Sequence, residues 1–268
     1  MALLQGAHVI PRRLPSCRAL VAAPPAPRRP PSALAQMGPT AYPISSPGVP
    51  RPGLRSQTRE SMTPTFIYFD LGRVLVEFDV GLMCQQVGRV AGLEPAQVAA
   101  VLYDDGLQQR YELGRMSTAE FYEAFCQRTG TRPPMDALLR AASDIFHLNR
   151  DTVPIVENLY RAGYPLGILS NTCCCHWEHC AQRFPLLTEA FGVFALSYRV
   201  GAAKPDPALY LAAARLAGVE PNQIFFTDDI PANVEGARAV GFDAVRFTTA
   251  EALVSDLEAR GVRLDRRS

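Results

Sequence analysis

The sequence predicts an α/β fold: a parallel sheet with helices on both faces, joined to a small all-helical insert. Three observations predict it. From about residue 150 onward, short apolar runs alternate with amphipathic helical patterns, as in βαβ units that close into a parallel sheet. Between the first strand and that alternation, residues 80–146 read as helix only. The apolar runs also end in Asp, Ser, Asn or Thr, and open α/β sheets bind ligands outside the carboxyl ends of their strands.

The first element is Phe66–Phe69, a β-prone run that reads as a buried strand delivering Asp70 at its tip. In the helical stretch, Ser117 and Glu120 form a capping box, Phe121 and Phe125 share one face, and Gly130 is a stop signal. Pro133 and Pro134 separate this helix from a second over 135–146. A helix over 152–162 leads to a strand at 166–169, which ends in Ser170, Asn171 and Thr172. A helix and a short strand at 193–196 follow. Asp206 caps the next helix, with Pro207 at its first position and Gly218 after its end. A strand at 224–227 ends in Asp228 and Asp229. A helix over 232–240, a strand at 244–247 and an amphipathic helix to about residue 260 complete the chain.

Charge divides the chain. Residues 1–59 hold eight Arg, 12 of the 23 Pro and no Asp, Glu or Lys. Such a segment buries too little apolar surface to offset its chain entropy and is expected to be disordered. Residues 1–61 read as a start codon assigned too early, with Met62 opening the domain, or as an Arg-rich transit leader, or as a functional tail. The remainder, 62–78 with 150–268, reads as the core domain and 79–149 as the inserted helical domain. Residues 60–268 carry 19 basic and 26 acidic groups, a net of −7, which argues against nucleic acid as partner. No apolar run approaches a membrane span. Seven cysteines, three of them consecutive, form no disulfide framework and suit a reducing cytoplasm. Cys173, Cys174, Cys175, His176, His179 and Cys180 match no zinc spacing and read as small apolar filler at a helix start. Nothing in the sequence specifies an oligomer.

The candidate chemistry gathers at the strand tips: Asp70, then Ser170 with Asn171 and Thr172, then Lys204 in the third loop, then Asp228 and Asp229. Lys204 is the only lysine, against 26 arginines. Arginine-rich coding explains the depletion but not the survivor, so Lys204 reads as a place that needs a compact ammonium rather than a planar fork. A carboxylate can act as nucleophile toward phosphorus. Acidic oxygens can hold a hard cation such as Mg²⁺. An ammonium and a hydroxyl can steady phosphate oxygens, so the set points to phosphoryl transfer by positioning and electrostatics.

Four segments, FDLGRVL at Asp70, LSNT at Ser170, GAAKPDPALY at Lys204 and FFTDDIPANVEGARAVG at Asp228 and Asp229, together resemble the motifs of the haloacid dehalogenase superfamily, subfamily I. The resemblance covers about residues 66–250. It implies a Rossmann-like sheet with strand order 5-4-1-2-3 and a small helical cap. It also implies a hydrolase, with Asp70 as nucleophile and Mg²⁺ ligand and the Gly72 carbonyl and Asp229 as further ligands, Asp228 lying beside them. Ser170 and Asn171 would hold the phosphate, and Lys204 would pair with Asp70 and the phosphate. His176 has two readings, a contact to the leaving group or phosphate from the start of its helix, or the orienting of neighbouring loops. Tyr111 and Glu112 of the cap are candidates to face the pocket, and Asn233 to touch the substrate or support the groups that do. The partner is a small-molecule phosphate ester.

One position departs from the family pattern. Its usual D-x-D motif carries a second Asp as general acid and base, and here that position is Gly72. Loss of a general acid costs roughly 10²–10⁴ in rate. A branch of the family with FDLG, similar to bacterial α-D-glucose-1-phosphate phosphatases, also keeps the SNT-x-x-x-His pattern; the phosphatase domain of soluble epoxide hydrolases is similar as well. An anomeric hydroxyl leaves more readily than an ordinary alcohol, so a sugar-1-phosphate is the expected substrate. The alternatives are a 2-haloacid dehalogenase, which the acidic pair argues against, and a weak or non-enzymatic relative.

Overall fold

The computed structural model describes residues 63–264; the expectations for residues 1–61 lie outside them. Five parallel strands form the main sheet in the order β5-β4-β1-β6-β7. They are β1 (Phe66–Phe69), β4 (Leu166–Ser170), β5 (Val193–Leu196), β6 (Ile224–Asp228) and β7 (Asp243–Arg246). Counted as core strands alone, this is the order 5-4-1-2-3 read from the other edge. A second, antiparallel pair joins β2 (Val76–Phe78) to β3 (Phe146–Leu148), with Phe78 opposite Phe146. Phe146 therefore begins a strand rather than ending a helix as its sequence suggested; its ring packs on Phe78 at 5.8 Å.

The central strand is buried on both faces, as a parallel sheet sandwiched by helices requires. Ile67 and Phe69 join one apolar layer with Ile168, Phe225 and Val245. Phe66 and Tyr68 join the opposite layer with Leu169, Phe226 and Ala244. Tyr68 satisfies its hydroxyl on the Ala213 carbonyl at 2.9 Å. The covering helices are α6 (Val153–Arg161), α7 (Cys174–Arg183), α8 (Leu186–Glu189), α9 (Ser197–Val200), α10 (Pro207–Ala217), α11 (Pro231–Ala239) and α12 (Ala250–Glu258). Asp206 caps α10 through the Ala208 amide, and Gly218 closes it with a left-handed φ of 70°.

Five helices fill the segment between β2 and β3: α1 (Val80–Ala91), α2 (Pro95–Ala99), α3 (Leu107–Glu112), α4 (Thr118–Thr129) and α5 (Met135–Ser143). A π-helical turn, Ala100–Asp104, extends α2. The capping box at Ser117 is present, and Phe121 and Phe125 are buried in the insert's own apolar cluster. Cys173 and Cys174, at the start of α7, pack into that same cluster.

Candidate active site

Sheet register sets the centre of the site. Phe69 pairs with Ile168 on one side and with Thr227 on the other. One residue further on, Asp70, Leu169 and Asp228 therefore stand side by side on three neighbouring strands. The Lys204 ammonium sits on this row. It lies 2.8 Å from Asp70 Oδ1, 2.6 Å from Asp228 Oδ2 and 3.0 Å from the Leu169 carbonyl. An ammonium has three donors, and all three are used. Burial works against the charge of Lys204, but Asp70 and Asp228 outweigh it and hold its pKa above the ordinary value. Three acceptors converge on one point, a geometry suited to a compact ammonium rather than to a planar guanidinium fork.

Each partner of the lysine is itself held. The Asn171 side chain accepts from the Lys204 amide at 2.7 Å and donates to the Lys204 carbonyl at 3.0 Å. Its amide group is therefore engaged in clamping the lysine loop. Asp228 also accepts from the Ile230 amide at 2.9 Å and from Asn233 at 3.0 and 3.2 Å. Tyr210 donates to the Asn233 carbonyl at 2.7 Å, which places Asn233 behind Asp228. Asp70 Oδ1 accepts from the Leu71 amide at 2.7 Å, while Oδ2 has no hydrogen-bond partner among the described residues. Burial, partly opposed by Lys204 and reinforced by Asp228, pushes the Asp70 carboxyl up to about 7.

Asp70, Asp228 and Asp229 bring carboxylate oxygens within 4.8 Å of one another. Burial, then the neighbouring Asp228, raises the Asp229 pKa as well. Three carboxylates face one ammonium, so the site is under-neutralised and built from the hard oxygens that a divalent cation prefers. Both oxygens of Asp228 are occupied, which leaves Asp70 and Asp229 with free capacity to hold an ion.

A pocket of about 100 Å³ opens beside these tips, lined by Gly72, Ser170, Asn171, Glu112, His176 and Phe78 among others. Ser170 is buried, and the nearest acceptor of its hydroxyl is the Asn171 carbonyl at 3.4 Å, so the hydroxyl is available to a ligand. His176 does two things. It lines the pocket, and its Nε2 meets the Ala142 carbonyl of α5 at 3.1 Å, tying α7 to the insert. Burial lowers its pKa to about 4, despite that carbonyl. Tyr111 does not line the pocket. It is buried, stacks on Phe121, meets Thr118 Oγ1 at 2.7 Å and accepts from the Cys175 amide at 3.3 Å. Cys173 and Cys175 place their sulfurs 3.6 Å apart, and with His176 they offer three possible ligand atoms within 4.8 Å.

Several residues of the site were not singled out by the sequence. Ser197 joins core to insert: it donates to the Glu112 carbonyl at 2.7 Å and accepts from the Thr172 amide at 2.9 Å. It follows the last residue of β5, so a complete inventory of strand tips would have found it. Gln108 donates to Glu112 Oε1 at 2.9 Å, an i,i+4 pair visible in the sequence. Phe78 fills the space beside Gly72: a Cβ added there would lie 2.9 Å from Phe78 Cε1. No local pattern signals that contact.

A family model described as haloacid dehalogenase-like hydrolase matches residues 87–241. A Mycobacterium tuberculosis protein named Phosphatase MT3486 is 28% identical over 219 residues, which cover 76% of this chain and 98% of that protein. A D-ribitol-5-phosphate phosphatase of Bacteroides thetaiotaomicron is 26% identical over 185 residues, 66% of this chain and 88% of the relative. The crystal structure of a HAD family enzyme from Bacteroides thetaiotaomicron, in complex with magnesium and inorganic phosphate, matches with a TM-score of 0.62 at 24% identity, covering 69% of this chain and 94% of that one. That likeness shows the shared fold.

Proposed function

The chain belongs to the haloacid dehalogenase-like hydrolase family, and on that premise we propose that this phosphatase hydrolyses small sugar phosphates through an aspartyl-phosphate at Asp70. The observation that carries the reading is the row of strand tips under Lys204. It fixes Asp70 Oδ1 by two hydrogen bonds and leaves Oδ2 as the reacting oxygen. Asp70 attacks phosphorus, the ester oxygen departs, and water then attacks the phosphorus of the acyl phosphate to release inorganic phosphate and restore Asp70. Ser170 contributes its hydroxyl to the phosphate oxygens. Lys204 favours the ionised form of Asp70 against the effect of burial and aims it, and Asn171 holds Lys204 in place.

Mg²⁺ is the cofactor that the acidic set fits, held by Asp70, Asp229 and the Gly72 carbonyl. When bound, it offsets the repulsion between these carboxylates and an incoming phosphate. The pocket is small beside the roughly 300–1,000 Å³ of sites for drug-sized ligands, which favours a compact metabolite. With no side chain at Gly72, an anomeric oxygen, which needs less protonation than an ordinary alcohol but still gains from it, favours a sugar-1-phosphate; the Bacteroides relative is named for a 5-phosphate, so both positions belong in the test. Phosphate release is measured over sugar 1-, 5- and 6-phosphates, with Mg²⁺ and with EDTA. Metal-dependent release, abolished by Asp70→Asn with folding intact, is expected. Faster turnover of 6-phosphates than of 1-phosphates removes the 1-phosphate assignment. Metal-independent turnover of a 2-haloacid, with no phosphate release, replaces the phosphatase reading.

A further inference from the structure

The family's usual proton donor is absent at Gly72, and Phe78 occupies the space a side chain there would need. Three titratable side chains line the pocket: Tyr103, Glu112 and His176. Burial pushes the Tyr103 hydroxyl up to about 12, too weak an acid for the task at neutral pH. His176 is neutral at pH 7. With Nε2–H donating to the Ala142 carbonyl, its Nδ1 has no proton to give. Glu112 remains. Burial raises its pKa, opposed by the Gln108 hydrogen bond, and Tyr103 and Cys173 are the other titratable groups whose charge couples to it.

The position of Glu112 is fixed from two sides. Ser197 of the core binds its carbonyl at 2.7 Å. Two residues on, Gly114 turns at a φ of 64° so close to the core that a Cβ would lie 2.1 Å from the Tyr198 carbonyl, a turn that glycine alone takes without strain. Gln108 occupies Oε1 at 2.9 Å, and Oε2 has no partner among the described residues. The backbone of Glu112 is thus docked on the core, and its side chain lines the same pocket as Ser170 and Gly72.

We propose that Glu112 is the general acid and base of this enzyme, supplying from the insert what Gly72 lacks; the proposal rests on the phosphatase reading above. As Asp70 attacks phosphorus and the P–O bond to the leaving group breaks, the departing oxygen takes the proton of Glu112 and leaves as an alcohol. In the second half, the Glu112 carboxylate removes a proton from the attacking water. Phosphate departs, Asp70 is regenerated and Glu112 is again protonated.

The test is Glu112→Gln, which keeps the size of the side chain and the Gln108 contact. A sugar phosphate needs the proton; p-nitrophenyl phosphate, with its acidic phenol, does not. The expected result is a loss of about 10²–10⁴ on the sugar phosphate. On p-nitrophenyl phosphate a burst of one nitrophenol per site should persist, followed by slow turnover, because only dephosphorylation needs the base. Glu112→Ala, partly rescued by added formate, gives a second reading that does not depend on the glutamine. Equal losses on both substrates without a burst, or no loss on either, overturn the proposal. Asp70→Asn separates the two readings: turnover that survives it condemns the nucleophile, whatever Glu112 does.

Discussion

The strand tips and the insert reach the same pocket by different means. At the tips, Asp70, Leu169 and Asp228 stand level because three strands are in register, and one ammonium binds them all. The insert has no such lattice. Glu112 is placed by a hydroxyl 85 residues away in sequence, at Ser197, and by the close approach of Gly114 to Tyr198. His176 adds a third tie at Ala142. A sheet positions its chemistry collectively, whereas a docked insert depends on a few contacts that can be removed one at a time. Damage to the tips should therefore cost the protein its centre, and damage to the docking contacts should be graded.

The largest effect tests the first half of that contrast. Lys204→Met leaves two buried carboxylates facing each other without their cation, and breaking such a pair from one side costs about 3–5 kcal/mol. Lys204→Arg keeps the charge but cannot place three donors on these acceptors. Both variants are expected to lose nearly all turnover, with the methionine variant also losing much of its thermal stability. An arginine variant with near-normal activity breaks the argument that the row needs a point charge.

The second effect concerns the same centre without reference to turnover. Burial pushes the Asp70 carboxyl up to about 7, opposed by Lys204, so part of it holds a proton at pH 7. A divalent cation requires the ionised form, so binding Mg²⁺ should release protons at pH 7 and progressively fewer above pH 8. Calorimetry in buffers of different ionisation enthalpy reads this directly. Asp70→Asn should reduce the release to what Asp229 contributes, and release unchanged in that variant would place the proton elsewhere.

The third effect moves to the docking contacts. Ser197→Ala strips the Thr172 amide and the Glu112 carbonyl of their shared partner. A buried donor left unpaired costs about 1–3 kcal/mol. Turnover should fall by about tenfold, through loss of Glu112 placement, while Mg²⁺ binding stays as in the wild type. If metal affinity falls equally, tips and insert are one unit and the contrast fails.

The same contrast explains what was legible in the sequence. β1, β4 and β6 were read within one residue of their ends, because a buried strand is a local run and its tip follows directly. Lys204 stands out by its rarity, by its place after the third core strand and by the GAAKPDPALY segment around it. The β2–β3 pair escaped: Val76 and Leu148 meet across the whole insert, and three-residue strands leave no periodic signal. Phe78 against Gly72, Ser197 under Glu112 and Ala142 on His176 are likewise contacts over distance, set by packing rather than spacing. Tyr111 and Glu112 were adjacent letters in YELG. The helix nonetheless turns Tyr111 into the insert's own core and leaves Glu112 on the pocket.

The smallest effect probes the His176 tie. Burial lowers its pKa to about 4, against about 6.5 in the unfolded chain, and the Ala142 carbonyl and His179 modify this less. The unfolded state therefore binds the proton first. The stabilising contribution of His176 is complete above about pH 6.5, falls as pH drops toward 4 and is flat below that. Over this window it amounts to about 2 kcal/mol, after allowance for its partial exposure. Asp70 works in the opposite sense, because its raised pKa makes the folded state hold a proton that the unfolded chain releases. Denaturant midpoints of wild type and His176→Gln, compared at pH 7.5 and pH 5, cancel the Asp70 term between them. The wild type should lose more stability than the variant on acidification. Equal losses would mean that burial does not penalise the charged ring, and that His176 takes up its proton at Nδ1 in place, with Nε2–H still on Ala142.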